Sequence, residues 1–344
     1  MPTTPAPLLD AEIALAKDRF ERLLAALDNV LFGQRELIEL VVVGVAARGH
    51  ILLEGLPGLG KTELVKGLAH ALGLDSRRVQ FTPDLLPGDI TGNPVLQEVE
   101  GRRAFVFQRG PIFANILLAD EINRASPKTQ SALLEAMQER RVTAGGDTHA
   151  LPEPFFVLAT QNPIELEGTY PLPEAQLDRF LFKIEVRRNP PEVLERIVLA
   201  REIGVSPSVA PVMSSAEFAE LLAWTRRVHV PESVAGYIAR LVNATHPGES
   251  AASAGVRYGA SPRAALALAA AGKARGLRHG RPHASLEDVQ AVARAVLAHR
   301  ILLDHSARLD GVTPAQVVDK LLAEVPVQAA PLPGSLSLAA AKLR

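Results

Sequence analysis

Residues Gly55 to Thr62 read G-L-P-G-L-G-K-T and stand between the apolar run Ile51-Leu52-Leu53 and a helix-period segment. Gly55, Gly58 and Gly60 carry no Cβ, so the backbone can turn tightly and aim successive N–H groups at one anion, helped by the dipole of the helix that follows. That pattern is a phosphate cradle. Leu56, Pro57, Leu59 and Glu63 complete it, Lys61 would reach the β- and γ-phosphates of a nucleotide, and the Thr62 hydroxyl would ligate Mg²⁺. Leu64, Val65, Leu68 and Leu72 share one helical face that ends near Gly73, which supplies the helix the cradle needs.

Two further groups fit the same chemistry. Ile116-Leu117-Leu118-Ala119-Asp120-Glu121 is an apolar strand ending in two carboxylates. At the carboxyl edge of a parallel sheet, Asp120 can hold Mg²⁺ through water and Glu121 can polarise the attacking water. A bare acidic pair more often starts a helix, and the strand before it and the phosphate loop upstream lift the catalytic reading above that one. Phe155 to Thr160 is a second buried strand, followed by Gln161 and Asn162. Asn162 can bond both a γ-phosphate and a lytic water, although an Asn before Pro163 is also a common turn.

The elements that must position these groups alternate along the first half of the chain. Short apolar runs at 50–54, 78–82, 115–120, 155–160 and 181–186 read as buried parallel strands, and the segments between them read as helices, beginning with 11–27. The expected fold is α/β, a five-stranded parallel sheet flanked by helices with ligands at the strand carboxyl ends. Two intervals break the alternation as hairpins: Val95–Val99 with Ala104–Phe107, and Val142-Thr143 with Thr148–Leu151 about Ala144–Asp147. From Asn189-Pro190-Pro191 onward the strands stop. The chain then reads as all-helical over 192–203, 215–228, 232–245, 262–277, 286–300 and 314–324. Capping boxes are expected at Ser214/Glu217, Ser285/Asp288 and Thr313/Gln316. The organisation that follows is a mobile lead over 1–10, a sheet domain over 11–188, a helical domain over 189–324 and a mobile tail over 325–344.

Composition bounds the function. The chain has 344 residues, 47% hydrophobic and 22% charged, enough for about two domains. A formal net charge of −1 gives no overall attraction to nucleic acid or anionic membrane. The absence of cysteine excludes disulfides, thiolate catalysis and thiolate metal sites. Met-Pro-Thr-Thr-Pro-Ala-Pro does not read as a signal peptide, and the most apolar stretch, Leu40 to Ala47, is too short to span a bilayer. A cytoplasmic protein without membrane insertion is the expectation.

Taken in order, G-L-P-G-L-G-K-T, L-L-A-D-E-I-N-R-A, A-L-L-E-A-M-Q-E-R, A-T-Q-N-P-I-E, E-G-T-Y-P-L-P-E-A-Q-L-D-R-F and G-A-S-P-R-A resemble the MoxR family of AAA+ ATPases. The resemblance runs from about residue 12 to about residue 324. Two positions depart from it: Ser126 stands where proline is usual, and Gly60 where alanine often occurs. Neither removes a catalytic group.

The resemblance implies an AAA+ P-loop core followed by an all-helical lid, with ATP and Mg²⁺ as cofactors. Gly55 to Thr62 would be the Walker A motif, Asp120 the Walker B aspartate, Glu121 the general base and Asn162 the first sensor. Arg179 would be the arginine finger reaching a neighbour's γ-phosphate; the plainer reading is a salt bridge, with Asp178 as a candidate partner. Arg263 would be the second sensor on the lid, although Ser261-Pro262-Arg263 also reads as a plain helix start. The hairpins near 95–108 and 142–152 would be the helix-2 insert and the pre-sensor hairpin. A finger acting in trans implies a homo-oligomeric ring, typically a hexamer. The implied activity is ATP-driven, chaperone-like remodelling of a client protein, with a von Willebrand factor A-domain partner. The alternatives are a chelatase-type motor subunit and a DNA-handling motor, for which Arg102, Arg103 and Arg109 are the residues to watch.

Overall fold

The computed structural model describes residues 6–56, 58–99, 102–163, 169–202, 205, 207 and 209–327. Most of the expected lead, Pro57 of the phosphate loop, the Glu100-Gly101 turn, residue 203 of the first lid helix and the tail beyond Val327 lie outside these residues.

Five strands form one parallel sheet: β1 (Ile51–Glu54), β2 (Ser76–Gln80), β5 (Ile116–Asp120), β8 (Phe156–Gln161) and β9 (Phe182–Glu185), in the spatial order β2-β5-β8-β1-β9. Their side chains alternate between two cores. Ile51, Leu53, Ile116, Leu118, Phe156, Leu158 and Phe182 face one; Leu52, Leu117, Ala119, Val157 and Ala159 face the other. Apolar residues on both sides of every central strand are what a sheet covered by helices on both faces requires. Each fully buried Leu or Phe in such a core contributes about 1.5–3 kcal/mol.

The first face is covered by helices Asp10–Asp28, Arg35–Ala46 and Lys61–Ala71, and that core runs on without a break into the lid, through Leu241, Leu268 and Val289. The second face packs on helix Pro127–Glu139 through Leu133, Leu134 and Met137. Polar ties reinforce the lid contact. Buried Arg19 on the first helix donates to Glu220 (3.1 Å) and lies over Trp224, and Arg278 pairs with Glu39 (2.7 Å).

The sheet strands fall where the sequence places them, with one shift. β2 occupies 76–80 rather than 78–82, in register from Ser76 opposite Ile116. It is an edge strand, so it tolerates the exposed Arg77 and Arg78, of which the expected span had left out Arg77.

Both hairpins form. The first is longer than expected: β3 (Gly92–Val99) pairs with β4 (Arg102–Arg109), because backbone pairing in a projecting ribbon does not require apolar side chains. The second is tighter, with β6 (Arg141–Ala144) and β7 (Asp147–Ala150) joined by Gly145-Gly146, whose φ values of 64° and 93° suit a two-residue turn.

Beyond Pro191 the helices lie at 191–200, 215–227, 232–243, 262–278, 286–297 and 314–324. The structure adds a short antiparallel pair of β10 (Val256–Tyr258) and β11 (Leu302–Leu303) and a short helix at His305–Leu309. All three expected capping boxes are present. Ser214, Ser285 and Thr313 accept from the N–H three residues on, and the partner side chains of Glu217, Asp288 and Gln316 reach back.

Candidate functional site

The sheet ends on one polar edge. Register pairs Gln80 with Asp120 and Glu54 with Gln161, so the apolar strands stop together and the residues after them gather at one cleft. This is the carboxyl edge where parallel sheets take ligands.

After β1 the chain turns through the glycine loop into helix Lys61–Ala71. Gly60 has φ +79°, and a Cβ there would lie 2.5 Å from Leu31 Cδ1, so this position needs glycine for both conformation and space. Among the described residues no side chain caps the helix, which leaves its first N–H groups open to an anion. Lys61 Nζ donates to the Gly55 carbonyl at 2.7 Å. Burial pushes the ammonium below its ordinary range, and Asp120 and Glu121 pull it back up.

The acidic pair hangs on a buried hydroxyl. Thr160 on β8 is fully buried; its Oγ1 donates to Asp120 Oδ1 at 2.6 Å and accepts from the Glu121 N–H at 2.9 Å. Asp120 Oδ2 accepts from Arg78 Nε at 3.2 Å and Nη2 at 2.8 Å. Glu121 sits in the left-handed region at φ 56°, ψ 50°, which costs a residue with a Cβ roughly 1–2 kcal/mol. That turn separates the directions of the two carboxylates. Glu121 Oε2 accepts from Arg124 Nη1 at 3.1 Å.

A cleft of about 390 Å³ brings together Gly58, Gly60, Lys61, Thr62, Glu63, Asp120, Glu121 and Asn162, all expected from sequence, and adds Arg78 and Gln80. Thr62 and Asp120 offer hard oxygen donors within it, a set that fits Mg²⁺. A second cavity of about 370 Å³ adjoins the same loop at Gly58, Leu59 and Gly60, lined by Val30, Leu31, Phe32, Ile197 and Arg201 among others. Arg196 and Arg201 lie 5.0 and 4.9 Å from the Phe32 ring. Apolar walls, a flat ring and the shared loop suit a nucleobase. Half-buried Leu56 is in the loop but lines neither cavity.

Two expected residues lie elsewhere. Arg179 lines a separate hollow with Ser131, Glu135 and Gln138, makes no ion pair among the described residues, and has a buried Nε without a partner. Asp178 is not its partner. That carboxylate accepts instead from Arg300 Nε (2.8 Å), Ser261 Oγ (3.0 Å) and Arg263 Nη1 (3.4 Å). Arg263 is therefore held at Asp178, the residue before Arg179, and does not line the cleft.

Sequence reasoning gave no role to Arg78, Gln80, Thr160 or Arg124. The first two lay inside an expected strand, 78–82, whose pattern says nothing about which strand pairs beside it, and a buried threonine in a strand carries no mark of its two bonds.

The comparisons with known proteins agree along the chain. The family described as ATPase family associated with various cellular activities (AAA) matches residues 50–182, and the AAA lid domain matches 248–321. The chain is 43% identical over 330 residues to Chaperone MoxR1 of Mycobacterium tuberculosis, covering 94% of this chain and 86% of that one. It is 33% identical over 344 residues to MoxR of Paracoccus denitrificans, covering 94% and 100%. A crystal structure of a candidate ATPase from Cytophaga hutchinsonii superposes with a TM-score of 0.85 at 40% identity, covering 92% of this chain and 97% of the other. The chain belongs to the MoxR family of AAA+ ATPases.

Proposed function

We propose that this protein hydrolyses ATP to ADP and phosphate with Mg²⁺, and that it does so as a ring, hexameric by resemblance, that remodels a client protein together with a von Willebrand factor A-domain partner. One observation carries the catalytic part: the phosphate loop, the Asp120–Glu121 pair and Asn162 open onto a single cleft, while Arg179 lies outside it. The chaperone part rests on the name of the M. tuberculosis relative and on the family resemblance. We read residues 11–188 as the nucleotide-binding domain and 189–324 as the lid. Among the described residues no helix is long and apolar enough to cross a membrane, which is compatible with work in the cytoplasm.

The roles follow from placement. The open N–H groups of the loop and the Lys61 ammonium take the phosphates. Bound Mg²⁺ would take oxygens from Thr62 and Asp120 and screen the phosphate charge. Glu121, released from Arg124, accepts the proton of the attacking water, and Asn162 orients that water toward phosphorus. Charge developing on the γ-phosphate calls for a further cation, and of the two arginines that the resemblance implies, neither Arg179 nor Arg263 lines the cleft. Arg179 of a neighbouring copy supplies it, and Arg263, bonded to the preceding residue Asp178, joins it there. Head-to-tail contacts of this kind close into a ring.

Replacing Glu121 with Gln keeps the shape and removes the base, so ATP binding should persist while turnover stops. Wild-type turnover in Glu121→Gln would refute the assignment. A DNA-handling role gains no support from the first hairpin, where Arg103 stands opposite Glu98 and Arg109 lies over Phe113.

A further inference from the structure

Asp120 is already bonded at both oxygens. Its Oδ1 is held by the Thr160 hydroxyl, and its Oδ2 accepts two bonds from one guanidinium, Arg78 Nε at 3.2 Å and Nη2 at 2.8 Å. Oδ2 is therefore covered by a cation, in the cleft that Thr62 and Asp120 share. A guanidinium and Mg²⁺ cannot share one carboxylate oxygen without strong repulsion.

The arrangement is aimed rather than incidental. Arg78 and Gln80 are two residues apart on β2, so they share a face, and Gln80 lies in register with Asp120. Gln80 Oε1 accepts from the same Arg78 Nη2 at 2.6 Å, which orients the guanidinium toward the carboxylate. Arg78 is also able to leave. It lies on the sheet's edge strand with its side chain half exposed, whereas Arg300, which holds Asp178, is 3% exposed and bonded to four backbone carbonyls besides.

We propose that Arg78 is a positioning residue that holds Asp120 in the nucleotide-free cleft and surrenders it to the incoming metal, and so sets how much Mg²⁺ nucleotide binding requires. This rests on reading the cleft as the ATP site. The direction of the effect separates it from a static ion pair. If Arg78 competes with the metal, removing it eases metal entry; if it only pre-aligns Asp120, removing it makes metal binding worse.

The test is binding of a fluorescent ATP analogue to the full chain as Mg²⁺ is titrated in chelator-buffered solution. In Arg78→Gln the half-saturating Mg²⁺ concentration should fall several-fold, and in Arg78→Lys it should return toward the wild-type value. An unchanged or increased Mg²⁺ requirement in Arg78→Gln overturns the proposal. If Arg78→Gln does not fold, Gln80→Ala loosens the same guanidinium and should shift the requirement in the same direction, more weakly; no shift there overturns it equally. Lys61→Ala serves as the control on the site itself. If that variant binds the analogue as the wild type does, the cleft reading fails, and it fails separately from the role of Arg78.

Discussion

Thr160 shows how much a single buried hydroxyl can decide. It donates to Asp120 and accepts from the Glu121 N–H, so one side chain fixes both the direction of one carboxylate and the left-handed turn that carries the other. Thr160→Val keeps the shape and removes both bonds. A partly buried N–H then loses its partner at a cost of about 1 kcal/mol. Chemical denaturation should show a loss of that order, and turnover should fall with it; Thr160→Ser should restore both. A valine variant with full stability and full turnover would show that the hydroxyl is idle.

At the scale of elements, the two hairpins meet each other. Phe107 on β4 stacks on His149 on β7 with ring centroids 4.0 Å apart and 10° between planes, and Phe113 closes the edge at 5.8 Å from Phe107. Beyond this contact the first hairpin projects an exposed cross-strand pair, Leu96 and Phe105. Ring stacks of this kind are worth about 0.5–1.5 kcal/mol beyond buried area. His149→Ala should therefore speed amide exchange in Gly92–Val99 and Arg102–Arg109 as well as in its own hairpin. Exchange changed in only the second hairpin would mean the stack transmits nothing. The lid helices answer to local rules: Ser285→Ala removes a capping box and should cost about 1 kcal/mol, read as a lower unfolding midpoint.

At the scale of the whole molecule, part of the acid sensitivity traces to a histidine between the sheet and helix Pro127–Glu139, as another part does to His299. His50 is buried; its Nδ1 accepts from the Val157 N–H at 3.0 Å, and its Nε2 donates to the Met137 carbonyl at 3.1 Å. Both nitrogens are committed to the neutral ring. Burial first, and the nearby Arg140 second, push its pKa down to about 4. In the unfolded chain histidine titrates near 6.5, so this contribution is constant above that pH. As pH falls from about 6.5 to about 4 only the unfolded state gains the proton, and stability drops by on the order of 3 kcal/mol. His50→Gln should flatten that part of the stability–pH curve. Equal slopes in the two proteins would exclude His50 as the source. Assembly is tested at the same scale. Glu121→Gln and Arg179→Ala should each be inactive alone, and mixing them should restore part of the turnover, since some interfaces then carry both intact groups. No recovery on mixing would remove the role in trans.

The sequence by itself determined whatever is governed by residues close together along the chain. The loop from Gly55 to Thr62, the apolar strands ending in Asp120 and before Asn162, and the three capping boxes each follow from short-range periodicity and hydrogen-bond chemistry, and each stands where the residues put it. Helix Arg35–Ala46 was not legible in that way. Seven of its last eight residues are apolar, and it is buried between the sheet and the lid, so it has no polar face to give it a period. What the tertiary structure alone decided are the pairings across the sheet and between domains: Arg78 on Asp120, Thr160 beneath Glu121, and Arg263 on Asp178. These contacts join strands and helices that are tens of residues apart. Such partners are chosen by strand order and register, and no local pattern of residue types encodes either one.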